Sequence, residues 1–280
     1  MPKAKKSLGQ HFLEDRRIVA NIVRAAGIEP GDSVLEIGPG RGILTQALVD
    51  AGAEVIVVET DADLIPGLRT AFGEAISLVE GDVLGPAGDE ARRRASRDGQ
   101  RPYDVVANIP YYITSPILER FLSQEPRPRR LVLMVQKEVA DRITARPLRM
   151  SLLSVACQAY GTCSKVFSVP RGAFRPMPKI DSAVIRIDVR PVAEGTDPER
   201  IIALAKVGFR AKRKQLHRNL ADAGVVPSDQ TKRLLEEMGK DARVRAETLS
   251  VQDWIHLFTL LWQTPSTSPL VRGRDVSSVF

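Results

Sequence analysis

Ser33-Val34-Leu35-Glu36-Ile37-Gly38-Pro39-Gly40-Arg41-Gly42 is the stretch that decides the fold. Residues 33–38 form an apolar run around a single acid and read as a strand. Residues 43–50 read as the helix behind it. The glycines between them allow a tight turn and let the backbone approach a ligand closely. The same unit then repeats. Glu54-Val55-Ile56-Val57-Val58-Glu59 is a second strand, with a helix over about 61–72, and residues 76–80 form a short third strand. A fourth strand covers 103–107 and a fifth 131–135. Helices are predicted over 14–26, 137–144 and 152–159. Strand alternating with helix implies an α/β fold, a parallel sheet with helices on both faces.

The pattern changes near Lys165. Residues 166–170 and 183–188 are strand-like, with a Pro-rich connection, and are predicted to form an antiparallel pair at the sheet edge. Beyond Arg190-Pro191 the spacing becomes helical. Asp197-Pro198-Glu199 offers a cap, a first-turn proline and an early acid. Further helices fit 230–237 and 251–261. The expected organisation is therefore one domain over 1–190, a small helical domain over 191–263 and a flexible tail over 264–280. Residues 85–102 read as a loop with at most one short helix.

Bulk properties narrow the class. The chain has 280 residues, 43% of them hydrophobic, enough for a sizeable core. No apolar run reaches the length of a membrane span. The basic start, Met1-Pro2-Lys3-Ala4-Lys5-Lys6, has no hydrophobic signal region after it, so a cytoplasmic protein is expected. Cys157 and Cys163, six apart, are neither a disulfide framework nor a zinc pattern, and no metal site is expected. The net charge of +7 favours an anionic partner, nucleic acid first. Lys206, Arg210, Lys212, Arg213, Lys214 and Arg218 fall in one stretch without an acid. Arg210, Arg213, Lys214 and His217 are predicted to share a helix face that contacts RNA phosphates.

Two acids and a glycine turn suggest a cofactor site. Glu59 ends the second strand, where a carboxylate can accept both hydroxyls of a ribose. The dinucleotide fingerprint fails, because its third glycine position holds Ile43. Asp82 closes the third strand and can accept from an adenine amine. The glycine turn at Gly38 and Gly40, with Glu59 and Asp82 following, suits S-adenosylmethionine, and the strand ends would lie side by side along one sheet edge.

Asn108-Ile109-Pro110-Tyr111 follows the fourth strand. The Asn108 side-chain oxygen and the Pro110 carbonyl can each accept from an exocyclic amine, and Tyr111 can stack on the base. Two such acceptors favour a pyramidal nitrogen with its lone pair aimed at a methyl donor. Positioning and electrostatics carry that reaction without a general base. The target base must leave its stack to enter the pocket.

The chain resembles the small-subunit ribosomal RNA adenine N6,N6-dimethyltransferases. The resemblance rests on Ser7-Leu8-Gly9-Gln10-His11-Phe12-Leu13, Glu36 to Gly40, Glu59, Gly81-Asp82, Asn108 to Tyr111, Gln136-Lys137-Glu138-Val139, Phe174 to Val184 and Arg213-Lys214-Gln215-Leu216. It implies a Rossmann-like class I methyltransferase domain followed by a small helical domain. It also implies that His11, Leu13, Gly38, Glu59, Asp82 and Asn108 contact S-adenosylmethionine, and that Phe174 is a second aromatic sandwiching the target base. The implied substrate is two adjacent adenosines in the terminal hairpin loop of small-subunit rRNA, within a maturing 30S subunit, and a monomer is expected. One departure stands out. The family usually has Tyr-Gly before its Leu-Ser-Val helix, where this chain has Arg149-Met150. Rival readings are a large-subunit dimethylase of the macrolide-resistance kind, an RNA-binding assembly factor with a vestigial pocket, and a nicotinamide-dependent oxidoreductase.

Overall fold

The computed structural model describes residues 4–5, 8–190 and 197–263. Ser7 of the opening motif, residues 191–196 and the expected flexible tail 264–280 lie outside the described residues. The chain divides into two compact units. One runs up to Ala140 and takes in Thr162–Val189; the other holds Asp141–Gly161 and the chain from Arg190 onward. The cut expected near residue 190 accounts for one crossing. A second falls inside a helix, Lys137–Ile143, and a third between Gly161 and Thr162 at the start of a strand; hydrophobic periodicity marks neither.

The first unit opens with β1 (Phe12–Leu13) and α1 (Arg16–Ala26). Asp15 caps α1 by accepting from the Arg17 and Ile18 amides, and Val19, Ile22 and Ala26 are the helix residues it buries. Then β2 (Ser33–Ile37), α2 (Ile43–Asp50), β3 (Glu54–Glu59), α3 (Ile65–Phe72), β4 (Ile76–Glu80), α4 (Pro86–Ser96), β5 (Tyr103–Asn108), α5 (Thr114–Ser123), β6 (Arg130–Gln136) and α6 (Lys137–Ile143) follow in alternation. After α7 (Leu152–Gln158) of the second unit come β7 (Gly161–Val169), β8 (Phe174–Arg175) and β9 (Ser182–Val189).

The main sheet has seven strands in the order β4-β3-β2-β5-β6-β9-β7. β2 runs parallel to β3 on one side and to β5 on the other, so the strand order reverses between β2 and β5. Ligands of such sheets bind in the crevice outside that switch point. The centrality of β2 explains its unbroken burial, in contrast to the half-exposed edge strand β4. β9 is antiparallel to β6, and β7 flanks it at the edge, in the region where sequence predicted an edge pair. β1 and β8 form a separate antiparallel pair, with Leu13 opposite Phe174.

Two helices of the first unit escaped the pattern. α4 fills most of the segment that allowed at most one short helix, its buried Ala91 and Ala95 being set among polar, Arg-rich neighbours. α5 begins at Thr114-Ser115-Pro116, where proline reads as a breaker yet sits harmlessly in the first turn.

The second unit is helical, with α8 (Pro198–Gly208), α9 (Leu216–Asp222), α10 (Ser228–Glu237) and α11 (Val251–Gln263) after α7. Its core gathers Trp254, Leu204, Leu216 and Leu257. Asp197 caps α8 as expected, accepting from the Glu199 amide at 2.9 Å. The basic run does not form one helix face. α8 stops at Gly208, and residues 209–215 turn before α9 begins. The Asn219 amide donates to the Gly208 carbonyl at 2.6 Å and the Ala211 carbonyl at 3.2 Å, closing off the helix end. Among the described residues no helix is long and apolar enough to cross a membrane, and no His/Cys/Asp/Glu group could hold a metal ion.

Candidate active site

The carboxyl ends of β2, β3, β4 and β5 border a cavity of about 360 Å³, which also takes in residues 8–13 before α1. Each strand end delivers one of the residues singled out in the sequence. Gly38 leaves β2 with φ +63°, a left-handed conformation that L side chains rarely adopt. At Gly42, with φ +83°, a Cβ would stand 2.5 Å from the Phe72 ring, so a side chain there would strain the turn into α2 and displace that ring. Gly38 and Gly40 both line the cavity.

Glu59, at the end of β3, is buried and held by two backbone donors. Its carboxylate accepts from the Asp61 amide at 2.8 Å and the Gly40 amide at 3.2 Å. Burial raises its pKa, and those two amides oppose the rise. A carboxylate has about four acceptor positions, so a diol could still be bound. Asp82 lies exposed at the end of β4 and accepts from the Leu84 amide at 2.9 Å.

Asn108 closes β5. Its Nδ2 donates to the His11 carbonyl at 3.2 Å. A carbonyl only accepts, so this contact selects the amide orientation and leaves Oδ1 as the available acceptor. The Pro110 carbonyl receives the Ile113 amide at 3.2 Å, which occupies one of its two lone pairs. The Tyr111 hydroxyl pairs with Ser182 Oγ at 2.6 Å, and its ring stacks on His11 with centroids 6.1 Å apart and planes 23° apart. Burial raises the Tyr111 pKa, against the Ser182 bond. His11 Nδ1 meets the Pro176 carbonyl at 2.7 Å, so Nδ1 carries the proton. His11 thus ties the opening segment to both the Asn108 turn and the Pro176 loop. Leu13 borders the cavity from β1.

Two expected site residues stand elsewhere. Phe174 has no exposed surface. Its position opposite Leu13 in the β1–β8 pair turns the ring into the core with Val19 and Val169. A buried ring cannot stack on a base, so the sandwiching role is not supported. His217 is also buried, with both ring nitrogens engaged by Ser228 Oγ at 2.8 Å and Gln215 Oε1 at 2.9 Å. Burial lowers its pKa, and a neutral, enclosed imidazole is no phosphate contact. Arg210, Arg213 and Lys214 are exposed, and Lys214 pairs with Asp222 at 2.8 Å.

Three features carry more than the sequence revealed. Asp61, sealed from solvent, accepts from Lys5 Nζ at 2.5 Å and from Gln10 Nε2 at 2.7 Å. Burial pushes its pKa up, but those bonds outweigh it and hold the carboxyl below its usual range. The clasp pins the opening segment beside Glu59, and the Glu-x-Asp spacing at the strand end was its only trace. Glu36 is fully buried under the glycine turn and accepts from Thr45 Oγ1 at 2.6 Å. Burial pushes its pKa up to about 8, with Glu59 adding to the rise. Tyr112, 62% exposed, lines the cavity beside Tyr111.

A strand-end cavity with this order of glycine turn, acids and Asn-Ile-Pro-Tyr has counterparts among known proteins. The chain is 43% identical over 272 residues to a ribosomal RNA small subunit methyltransferase A of Thermosynechococcus vestitus, covering 94% of this chain and 98% of that one. A protein of the same name from Dehalococcoides mccartyi is 40% identical over 257 residues, covering 90% and 86%. Among solved structures, a dimethyladenosine transferase from Plasmodium falciparum superposes with a TM-score of 0.75 at 26% identity, covering 90% of this chain and 98% of that one. The 23S rRNA methyltransferase ErmE superposes at 0.73 and 29% identity, covering 90% and 100%. The model of ribosomal RNA adenine dimethylases matches residues 1–263, which include every strand and helix described above. The chain belongs to the ribosomal RNA adenine dimethylase family.

Proposed function

We propose that this protein transfers methyl groups from S-adenosylmethionine to N6 of two adjacent adenosines in the terminal hairpin loop of small-subunit rRNA. It would act on a maturing 30S subunit, as a cytoplasmic monomer, and assist that subunit's assembly. The choice of the small subunit follows the relatives at 40–43% identity, which carry that name.

The residues present fit the donor. Glu59 keeps acceptor capacity beside the Gly38–Gly40 backbone and would hold the ribose hydroxyls. Asp82 would take the adenine amine, and His11 and Leu13 would close the cavity from the opening segment. Bound there, S-adenosylmethionine supplies a methyl group already activated by its sulfonium. The rest falls to the chain. In the first transfer Asn108 Oδ1 and the Pro110 carbonyl would accept the two N–H bonds of the target amine and hold its lone pair toward the donor site, and in the second the one N–H that remains; each transfer releases one proton from the nitrogen to solvent. Tyr111, fixed by Ser182 and His11, sets the plane of the base, and the open ring of Tyr112 offers a second face. Catalysis is positioning by groups oriented before the base arrives.

The observation that carries this reading is the His11–Asn108 bond, which leaves the amide oxygen as the acceptor. Asn108→Ala should lower the rate of methyl transfer by about 10²–10³-fold or more, with donor affinity kept within a few-fold. Single-turnover assays with calorimetry of donor binding would show it; a variant that methylates at the full rate would remove Asn108 from the proposed role. In the second unit, Arg210, Arg213 and Lys214 would hold rRNA phosphates.

A further inference from the structure

The turn Arg146-Pro147-Leu148-Arg149 in the second unit holds strain that its own packing does not explain. The Arg149 amide donates to the Arg146 carbonyl at 3.1 Å. Pro147 takes the first central position and Leu148 the second, with φ +78°. That is a type II turn, whose second central position calls for glycine or asparagine. A leucine there opposes the backbone. Nor does burial offset it, because Leu148 is 74% exposed. Arg97, by contrast, takes a positive φ as the cap that ends α4. Strain kept at a fixed position without a packing return points to a role outside the chain.

The turn stands on a rigid base. On one side the Gln158 amide donates to the carbonyls of Ile143 at 3.0 Å and Ala145 at 2.9 Å. On the other, the Met150 amide donates to the Glu247 carbonyl at 3.2 Å, and the Met150 side chain is buried in the helical core. Ser151 then caps α7 through reciprocal bonds with Ser154. Arg149-Met150, where the family usually has Tyr-Gly, therefore closes a fixed turn and anchors it. Arg146 and Arg149 are exposed on either side of Leu148. Among the described residues neither guanidinium has a carboxylate partner, and the acid of the neighbouring turn, Glu247, faces Arg245 at 3.9 Å.

We propose that this turn is a docking point for ribosomal RNA, with Arg146 and Arg149 on backbone phosphates and Leu148 against a sugar or base face between them. The inference rests on the rRNA reading above. Two exposed cations flanking an apolar apex, in a chain of net charge +7, match an anionic backbone with apolar faces between its phosphates. The turn is short enough to straddle neighbouring phosphates of one strand.

The test uses the full chain with Leu148→Gly and, separately, Arg146→Gln/Arg149→Gln, titrated with small ribosomal subunits across a range of salt. Leu148→Gly should not lower the melting midpoint and should raise it by up to about 4 °C, since glycine relieves the turn. It should nevertheless weaken subunit binding by about three- to tenfold. The arginine pair should flatten the salt dependence by about 1.5 in log–log slope. Both variants should bind S-adenosylmethionine like the parent. A Leu148→Gly protein that binds subunits as tightly as the parent would overturn the proposal. Weaker binding by Leu148→Gly with an unchanged slope for the arginine pair would assign the turn to a protein surface, and overturns it too. If the parent itself binds no small subunits, the rRNA reading fails first and takes this inference with it.

Discussion

Replacing Glu36 with glutamine should make the sheet unit more stable, and increasingly so as pH rises. Glu36 is completely buried under the glycine turn, and burial moves its pKa from the ordinary 4.5 to about 8. Between those values the folded chain holds a proton that the unfolded chain has released. Stability therefore falls as pH rises through this window. The penalty is about 2 kcal/mol at pH 6 and about 4 kcal/mol at pH 8. Glutamine has no proton to lose, and its amide oxygen can still accept from Thr45 Oγ1. The gain of Glu36→Gln over the parent should therefore grow by about 2 kcal/mol from pH 6 to pH 8. Titrating groups other than Glu59, which is coupled to Glu36, cancel in that difference. Urea unfolding followed by far-UV circular dichroism would measure it. Tryptophan fluorescence would not, because both tryptophans lie in the C-terminal unit, at 254 and 262. Amide exchange over β2 gives a direct local reading. A difference that stays within about 0.5 kcal/mol across the window would show that Glu36 is not the buried neutral acid described.

Further outcomes follow from the site. Asp61→Asn removes the charge that Lys5 and Gln10 bind, so donor affinity should fall by about tenfold and Lys5 should become open to trypsin, with the maximal rate little changed. Ser182→Ala leaves the Tyr111 hydroxyl without its 2.6 Å partner; the rate of transfer should drop by about tenfold while donor affinity holds, as single-turnover kinetics would show. Arg213→Gln should flatten the salt dependence of subunit binding by about 0.7 or more, and Lys214→Gln by less, because Lys214 already faces Asp222 at 2.8 Å.

What was legible in the sequence was what the local backbone dictates. The run Ser33 to Gly42 specifies strand, turn and helix by itself, and the acids Glu59 and Asp82 sit at strand ends that hydrophobic runs define. Asn108 to Tyr111 follows the same logic, and these four residues border one cavity with Glu36 to Arg41, Glu59 and Asp82. The failures needed tertiary knowledge. Phe174 sits beside prolines in what reads as an exposed loop, and only its pairing opposite Leu13 turns the ring inward. His217 fits a helical spacing with Arg213 and Lys214, yet periodicity cannot show that 209–215 turn and that Ser228 closes over the imidazole. The Lys5–Gln10–Asp61 clasp joins residues more than fifty positions apart, and the Glu-x-Asp spacing at the strand end does not reveal its partners.

The most direct test of the central claim is to incubate the protein with methyl-labelled S-adenosylmethionine and unmethylated small ribosomal subunits, and then to locate the label. The account predicts label on N6 of two adjacent adenosines in the terminal hairpin loop of the small-subunit rRNA, and none with Asn108→Ala. Label confined to large-subunit rRNA when both subunits are offered, or no transfer to either, would contradict it.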